Sequence, residues 1–182
     1  MKSWTNLSYA NVATTSPAAH KASMEWSDAL ARGGAAEFDG EAEKNAMMPL
    51  RRAAARLLSC EVADVCVGSS ATELLCSLAW AVSPSGGSNI VSTRTAFPST
   101  VYPWSRVAEA NGAKIRLANH DEELYTNPDD ILDLIDEATS VVTLSHVEYS
   151  TGQRYDLRRF ADAAHSVGPL LVAVAPLQQR LR

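Results

Sequence analysis

Three short segments contain the polar and aromatic side chains best suited to binding a small molecule. The first, residues 68–72, reads Gly-Ser-Ser-Ala-Thr and joins an apolar run to a helical one. Backbone N–H groups at a helix start attract phosphate, and the helix dipole adds to the attraction. Small residues let a phosphate approach closely, and the Ser70 and Thr72 hydroxyls can add hydrogen bonds. The same pattern is typical of an ordinary capping turn, so both interpretations stay open.

The second segment, residues 95–104, is rich in aromatic side chains and contains two prolines. It reads Thr-Ala-Phe-Pro-Ser-Thr-Val-Tyr-Pro-Trp and directly follows a predicted buried strand. Its aromatic residues could supply a face on which a planar ring stacks. A hydrophobic plug over the edge of the sheet is the alternative interpretation, and the segment taken alone favours the plug.

The third segment, residues 145–152, reads Ser-His-Val-Glu-Tyr-Ser-Thr-Gly. His146 and Glu148 form an H-x-E pair, which in zinc deaminases is followed by P-C-x-x-C. No cysteine follows Cys76, so a deaminase site is excluded. Ligands of open parallel sheets bind beyond the carboxyl ends of the strands, where all three segments are predicted to lie.

Strands and helices alternate along most of the chain, and this order positions the three segments. The strand cores are continuous apolar runs, as a parallel sheet buried on both faces requires. Pro49 is expected to kink or divide the second helix. We predict strands at 65–67, 89–92, 113–117, 141–144 and 170–175, and helices at 17–32, 39–58, 71–82, 102–111, 128–137 and 156–167. The fold class is therefore α/β, with a mostly parallel sheet and flanking helices.

Composition limits the classes of function. The chain has 182 residues and a net charge of -5, which argues against binding nucleic acid or an anionic membrane. No apolar run reaches the roughly 20 residues needed to span a bilayer. The first residues lack the apolar core of a secretory signal, so a cytoplasmic location is expected. The three cysteines, Cys60, Cys66 and Cys76, have no metal-site spacing and are interpreted as free thiols.

In their order and spacing, the three segments resemble the class V aminotransferase family of fold-type I pyridoxal-phosphate (PLP) enzymes. This family includes cysteine desulfurases, selenocysteine lyases, kynureninase and isopenicillin N epimerase-like proteins. The resemblance runs from Asn11 and the two residues before it through Val172. It implies the large domain of a PLP-dependent transferase, incomplete in this chain. It also implies transferase or lyase chemistry on an amino acid, and a homodimer if the protein is complete.

The resemblance assigns roles to particular residues. The turn at 70–73 resembles the family's phosphate-holding turn, and 97–100 resembles a kynureninase-type segment whose Phe stacks on the pyridine ring. Residues 145–152 look like the next cofactor loop, and the opening of the chain resembles a segment near the substrate. The implied cofactor-binding residues are Ser70, Ala71, Thr72, Phe97, Pro98, Ser99, Thr100 and Ser145, and the implied substrate-binding residue is Asn11. The Phe-Pro-Ser sequence favours kynureninase-like or epimerase-like members over desulfurases, whose counterpart loop carries a stacking His.

Two groups used by the family do not occur where the resemblance places them. The Asp that pairs with the pyridinium nitrogen aligns with Val174, and a His or Gln helper aligns with Leu177. The Schiff-base lysine would lie beyond Arg182, and none of Lys2, Lys21, Lys44 and Lys114 fits its place. We therefore expect a frameshift or a truncated gene, and no covalent PLP attachment at the usual site.

Three regions are predicted: an N-terminal extended segment and helix at 1–34, a partial PLP-binding large domain at 35–175, and an unrelated tail at 176–182. The expected function is that of a PLP-dependent class V aminotransferase-like protein, inactive as written. One alternative is a non-catalytic pseudoenzyme fragment that binds a full-length relative, and another is an unrelated phosphate-binding α/β module. We expect a marginally stable, aggregation-prone product, because the family's neighbours of strand 65–67 occur later in its sequence.

Overall fold

The computed structural model describes residues 13–175, which belong to two compact units that divide between Val67 and Gly68. Asn11, predicted to bind substrate, and the tail at 176–182 lie outside the described residues. Each unit is described by itself below.

The described residues of the first unit form three helices, α1 (Pro17–Gly33), α2 (Gly40–Asn45) and α3 (Met48–Leu58), and 3-10 turns at Gly34–Ala36 and Val62–Asp64. α1 begins as predicted, because the Ser16 hydroxyl accepts a hydrogen bond from the Ala19 N–H at 3.2 Å. The predicted helix at 39–58 is divided in two. Pro49 lies in the first turn of α3, where its missing N–H costs nothing.

The prediction of a strand at 65–67 is wrong. These residues pair with no strand between residues 13 and 175. A strand is stable when a neighbour satisfies its backbone groups, and here a side chain takes that role. The Arg51 guanidinium donates to the carbonyl oxygens of Val65 at 2.9 Å and Val62 at 2.8 Å.

The second unit confirms the alternation of strands and helices predicted from its sequence. Its strands are β1 (Asn89–Thr93), β2 (Lys114–Ala118), β3 (Thr139–Ser145) and β4 (Leu170–Val174). Its helices are α4 (Ala71–Val82), α5 (Pro98–Asn111), α6 (Pro128–Leu132) and α7 (Leu157–Val167). The four strands are parallel and lie in the order β2-β1-β3-β4. The predicted α/β class with a parallel sheet is confirmed.

The two faces of this sheet carry two separate hydrophobic clusters. Ile90 in β1 packs with residues of α4 and α5, including Trp104. The next residue, Val91, packs with residues of α6 and α7, including Phe160. Successive side chains of a strand point to opposite faces, so β1 is buried on both sides. The carboxyl ends of the strands are thereby held in place for the loops that follow them.

α5 begins earlier than predicted, at Pro98 rather than residue 102. A proline fits the first turn of a helix because its N–H would have no partner there. The second proline, Pro103, lies within the helix, and Val101 and Trp104 are buried. Most of the predicted aromatic loop is therefore the first part of a helix.

α6 ends earlier than predicted, at Leu132 rather than residue 137. Polar contacts redirect the chain there toward β3. The Asp136 carboxylate accepts from the Asn89 side-chain amide at 2.9 Å, and the Asp136 N–H donates to the Thr139 hydroxyl at 2.9 Å. None of the helices between residues 13 and 175 is both long and apolar enough to cross a membrane.

Candidate functional site

The start of α4 is a capped turn whose carboxylate folds back over the preceding residues. The Ser70 hydroxyl accepts from the Glu73 N–H at 3.1 Å. The Glu73 carboxylate accepts from the Ser69 hydroxyl at 2.6 Å and from the Ser69 N–H at 2.7 Å. These bonds, the hydroxyl bond above all, hold the pKa of Glu73 below its usual value. The ionised carboxylate stabilises the positive end of the helix dipole.

Three backbone donors of this turn, the N–H groups of Ser70, Ala71 and Thr72, have no hydrogen-bond partner among the described residues. The first four N–H groups of a helix have no partner within the helix. In α4 the Glu73 N–H is capped by Ser70, and the Leu74 N–H reaches the Ser70 carbonyl at 3.2 Å. The N–H groups of Ala71 and Thr72 are the pair that could bind a phosphate oxygen.

A cavity of about 450 Å³ lies between α4 and the start of α5. Four of the predicted cofactor residues line it, together with Trp80 and Tyr102. These four are Thr72, Phe97, Pro98 and Ser99. The fold therefore brings the first and second predicted segments together on one concave surface.

Phe97 lies at the point where β1 passes into α5, immediately before Pro98. Its side chain is 48% exposed, so the ring is not a buried plug. It packs edge-to-face on Tyr149, with ring centroids 5.2 Å apart and an interplanar angle of 84°. The plug interpretation holds only for the residues farther along α5. Phe97 joins the second segment to the third and leaves much of its surface accessible.

Ser145 and Val174 end β3 and β4, and they are partners in the register of the two strands. Ser145 is buried, and the N–H of the next residue, His146, donates to the Val174 carbonyl at 2.8 Å. The position to which the resemblance assigns a pyridinium-binding carboxylate thus lies directly beside Ser145 and carries an apolar side chain.

The other predicted cofactor residues do not line the cavity. Ser70 and Ala71 lie just before Thr72 at the helix start. Thr100 and Ser145 are buried, and the Thr100 carbonyl accepts from the Thr143 hydroxyl at 3.2 Å. Their contacts with a cofactor stay predictions.

Glu148, the residue before Tyr149, is a buried acid that the sequence analysis names only in the excluded zinc motif. It is 1% exposed, and its Oε1 accepts from the Thr93 hydroxyl at 3.1 Å. Its Oε2 is buried without a partner in the described part of the chain. Burial raises the pKa of Glu148, and the bond from Thr93 offsets part of that effect. The available signal was an acidic residue three positions after an apolar strand, in a loop already predicted to bind a ligand.

The sequence profile of the family described as "Aminotransferase class-V" matches residues 11–175. A probable cysteine desulfurase of Methanothermobacter thermautotrophicus is 32% identical over 89 residues, which are 49% of this chain and 22% of that protein. A cysteine desulfurase of Haloferax volcanii is 28% identical over 95 residues, which are 52% of this chain and 22% of that protein. Each match covers about a fifth of the relative's length.

A solved structure shows the same fold. It is a C-DES mutant with glycine covalently linked to its PLP cofactor, and it superposes with a TM-score of 0.72 at 17% identity. The superposition covers 89% of this chain and 43% of that one. This chain therefore corresponds to part of a larger PLP-dependent fold.

Proposed function

Because this chain belongs to the class-V aminotransferase family, we propose that its second unit binds PLP, the cofactor of that family, through the phosphate and one ring face. The observation that carries the proposal is the shared cavity of Thr72, at a helix start, and Phe97, a half-exposed ring. Hydrogen-bond donors for a phosphate lie beside an aromatic surface, and these two features match the two ends of this cofactor.

The phosphate end fits the chain's own donors. Ala71 and Thr72 offer adjacent N–H groups at a helix start, and the Thr72 hydroxyl adds a third donor. The Glu73 carboxylate keeps to the Ser69 side of the turn, where it takes two hydrogen bonds. Phosphate binding would therefore use donors that the fold has not already occupied.

The residues available to the pyridine ring of the cofactor fit it only in part. Phe97 can stack on a planar ring, and Tyr149 supports it from the side. The bound cofactor supplies an electron sink that stabilises negative charge developing on an amino-acid substrate. A carboxylate beside the ring nitrogen strengthens that sink, and Val174 cannot supply one. The described residues thus fit binding better than they fit full activation of the cofactor.

Chemistry on an amino acid is proposed for the whole protein, since each curated relative extends far beyond the matched segment. Family membership and the desulfurases among the relatives support transferase or lyase activity. The branch within the family, the homodimer and the cytoplasmic location stay predictions.

Binding can be tested with pyridoxamine 5'-phosphate, which cannot form adventitious Schiff bases with surface lysines. We expect the protein to bind it more tightly than pyridoxamine, because only the former engages the turn at α4. Phe97→Ala is expected to weaken binding by about three- to tenfold, the range for an aromatic contact. Tyr125→Ala removes an exposed ring that does not line this cavity and is the matched control. Titration calorimetry measures both, and equal affinity for the two ligands would contradict the proposal.

Binding without catalysis is a second candidate function, and the apolar residue at position 174 favours it. If this position adjoins the ring nitrogen, Val174→Asp places an anion there and should raise the affinity for the protonated pyridine. Calorimetric titration at two pH values checks this, with Leu170→Asp at the far end of β4 as the control. An unchanged affinity in Val174→Asp would place the ring nitrogen elsewhere.

A further inference from the structure

We propose that Glu148 is a positioning residue, which locks the loop carrying Phe97 to the loop carrying Tyr149 so that the two rings keep their arrangement at the cavity. The first of these, the Phe97 loop, is residues 94–97, and the second, the Tyr149 loop, is residues 146–153. The inference rests on the proposed function only in assigning those rings to a cofactor.

The side chain of Glu148 connects its own loop to the end of β1, from which the Phe97 loop begins. Thr93 is the last residue of β1 and precedes the Phe97 loop, and its hydroxyl donates to Glu148 Oε1 at 3.1 Å. Glu148 directly precedes Tyr149. One buried hydrogen bond therefore lies beneath the edge-to-face contact of Phe97 with Tyr149, and the two contacts fix the loops at separate points.

The main chain of the same residue closes the Tyr149 loop on itself. The Glu148 N–H donates to the Gln153 carbonyl at 2.8 Å, and the Gly152 N–H donates to the Glu148 carbonyl at 2.9 Å. These two hydrogen bonds fix the main chain of Glu148 within its loop, and from this fixed position the carboxyl group reaches β1. A flexible loop would give that bond no positioning effect.

Buried hydroxyls extend the link and return it to the Tyr149 loop. Thr95 Oγ1 lies 3.5 Å from Thr93 Oγ1 and 3.4 Å from Thr126 Oγ1. The Gln153 side chain then brackets Thr126, accepting from its N–H at 2.9 Å and donating to its carbonyl at 2.6 Å. The network starts and ends in the Tyr149 loop, so a displacement of one loop is transmitted to the other.

The free-energy cost of burying this carboxyl group argues against a role in packing alone. A buried, poorly paired acid destabilises a fold, and an apolar side chain of similar size would fill the same space. Tyr155 is a titratable neighbour whose own pKa rises to about 12, mainly through burial and in smaller part through the charge of Glu148. The surroundings thus disfavour the ionised form of Glu148. The favourable contribution of this side chain is its hydrogen bond with Thr93.

Hydrogen exchange of the full chain tests the inference without any ligand. Glu148→Leu keeps the volume but cannot accept from Thr93, and we expect amide exchange in residues 94–97 and 146–153 to rise about tenfold. Glu148→Gln keeps an acceptor oxygen and should restore protection to near the wild-type rate. Phe160→Leu, a change in the buried cluster on the α7 side of the sheet, is the control for a general loss of stability.

The outcomes separate the two proposals. Equal increases in exchange in Glu148→Leu and Phe160→Leu, or no rescue by Glu148→Gln, would overturn the positioning role. If Glu148→Leu fails to fold, Thr93→Val breaks the same bond from the other side and should raise exchange in both loops. A fall of several-fold in affinity for pyridoxamine 5'-phosphate in Glu148→Leu, with Glu148→Gln unchanged, is expected. Wild-type protein that does not bind this ligand would refute the cofactor proposal and leave the exchange result to decide the role of Glu148.

Discussion

Two buried side-chain atoms, Trp104 Nε1 and Glu148 Oε2, have no hydrogen-bond partner among residues 13–175. Their situations differ. Trp104 fills the cluster beneath α4 and α5, where the area of its ring outweighs one unpaired N–H group. Glu148 contributes little apolar area, so its burial is a net cost that its bond to Thr93 only partly offsets.

The raised pKa of Glu148 predicts a specific dependence of stability on pH. The folded protein holds this proton more tightly than the unfolded chain does. The resulting stabilisation is complete below the ordinary glutamate pKa and is lost as pH rises through the raised pKa. Glu148→Gln cannot ionise, so its stability relative to wild type should increase with pH across that window. Urea-unfolding midpoints at a series of pH values measure the difference.

Glu73 provides a control of opposite sign. Its pKa is lowered, chiefly by the Ser69 hydroxyl, so its contribution is present above the ordinary glutamate pKa and is lost as pH falls. Glu73→Gln should therefore lower stability at neutral pH and have less effect in acid. A gap between Glu148→Gln and wild type that does not vary with pH would contradict the assignment of Glu148.

At the scale of elements, five of the described α-helices end at a residue with positive φ. α7 ends at Gly168, which has φ 101° and an N–H bonded to the Ala164 carbonyl. A Cβ at this position would meet nothing within 4 Å, so only the backbone conformation opposes a substitution. We expect Gly168→Ala to lower the free energy of unfolding by about 1 kcal/mol, the cost of a left-handed Ala.

Thermal or urea unfolding measures this change, and Gly40→Ala is the control. Gly40 begins α2, its added Cβ also meets nothing within 4 Å, and its φ is not in the left-handed region. Loss of stability of equal size in both variants would show that the left-handed backbone at Gly168 is not its cause.

Local signals predicted the second unit well because its strands and helix caps are determined by nearby residues. α4 was predicted to the residue, since Ser70 caps its start and a serine with φ 47°, Ser83, follows its end. The β3 and β4 runs were recognised from continuous apolar sequence. The membership of the chain in its family, predicted from three segments, is confirmed by the match over residues 11–175.

The missed start of α5 at Pro98 had a local signal, but the other failures share a physical cause, which is dependence on residues distant in sequence. The run at 65–67 looks like a strand, yet a strand needs partners, and the described residues offer it none. The chain after α6 is held by Asp136, whose partner Asn89 lies 47 positions away. The Thr93 hydroxyl that bonds to Glu148 belongs to a residue 55 positions earlier. No local pattern carries information of that kind.

At the scale of the whole molecule, β4 is one of the two edge strands of the described sheet. It has a strand neighbour on one side only within the described sheet, and Leu170 at its start is 44% exposed. Unpaired, apolar strand edges promote association between molecules. Leu170→Lys should therefore reduce the rise of light scattering with protein concentration.

Leu124→Lys is the matched control, because Leu124 is 43% exposed and lies in a loop rather than on a strand. The two variants add the same charge, so a difference between them reports the edge of the sheet. Identical scattering by both would show that net charge, rather than β4, governs association.

The strand order β2-β1-β3-β4 also bears on how the chain is made. During synthesis β1 emerges first, and β2, which follows α5, is the first strand available to pair with it. β3 then adds to the free side of β1, and β4 adds to β3. Each strand after β1 thus has a neighbour that precedes it in the chain, so the described sheet can grow by the addition of one strand at a time.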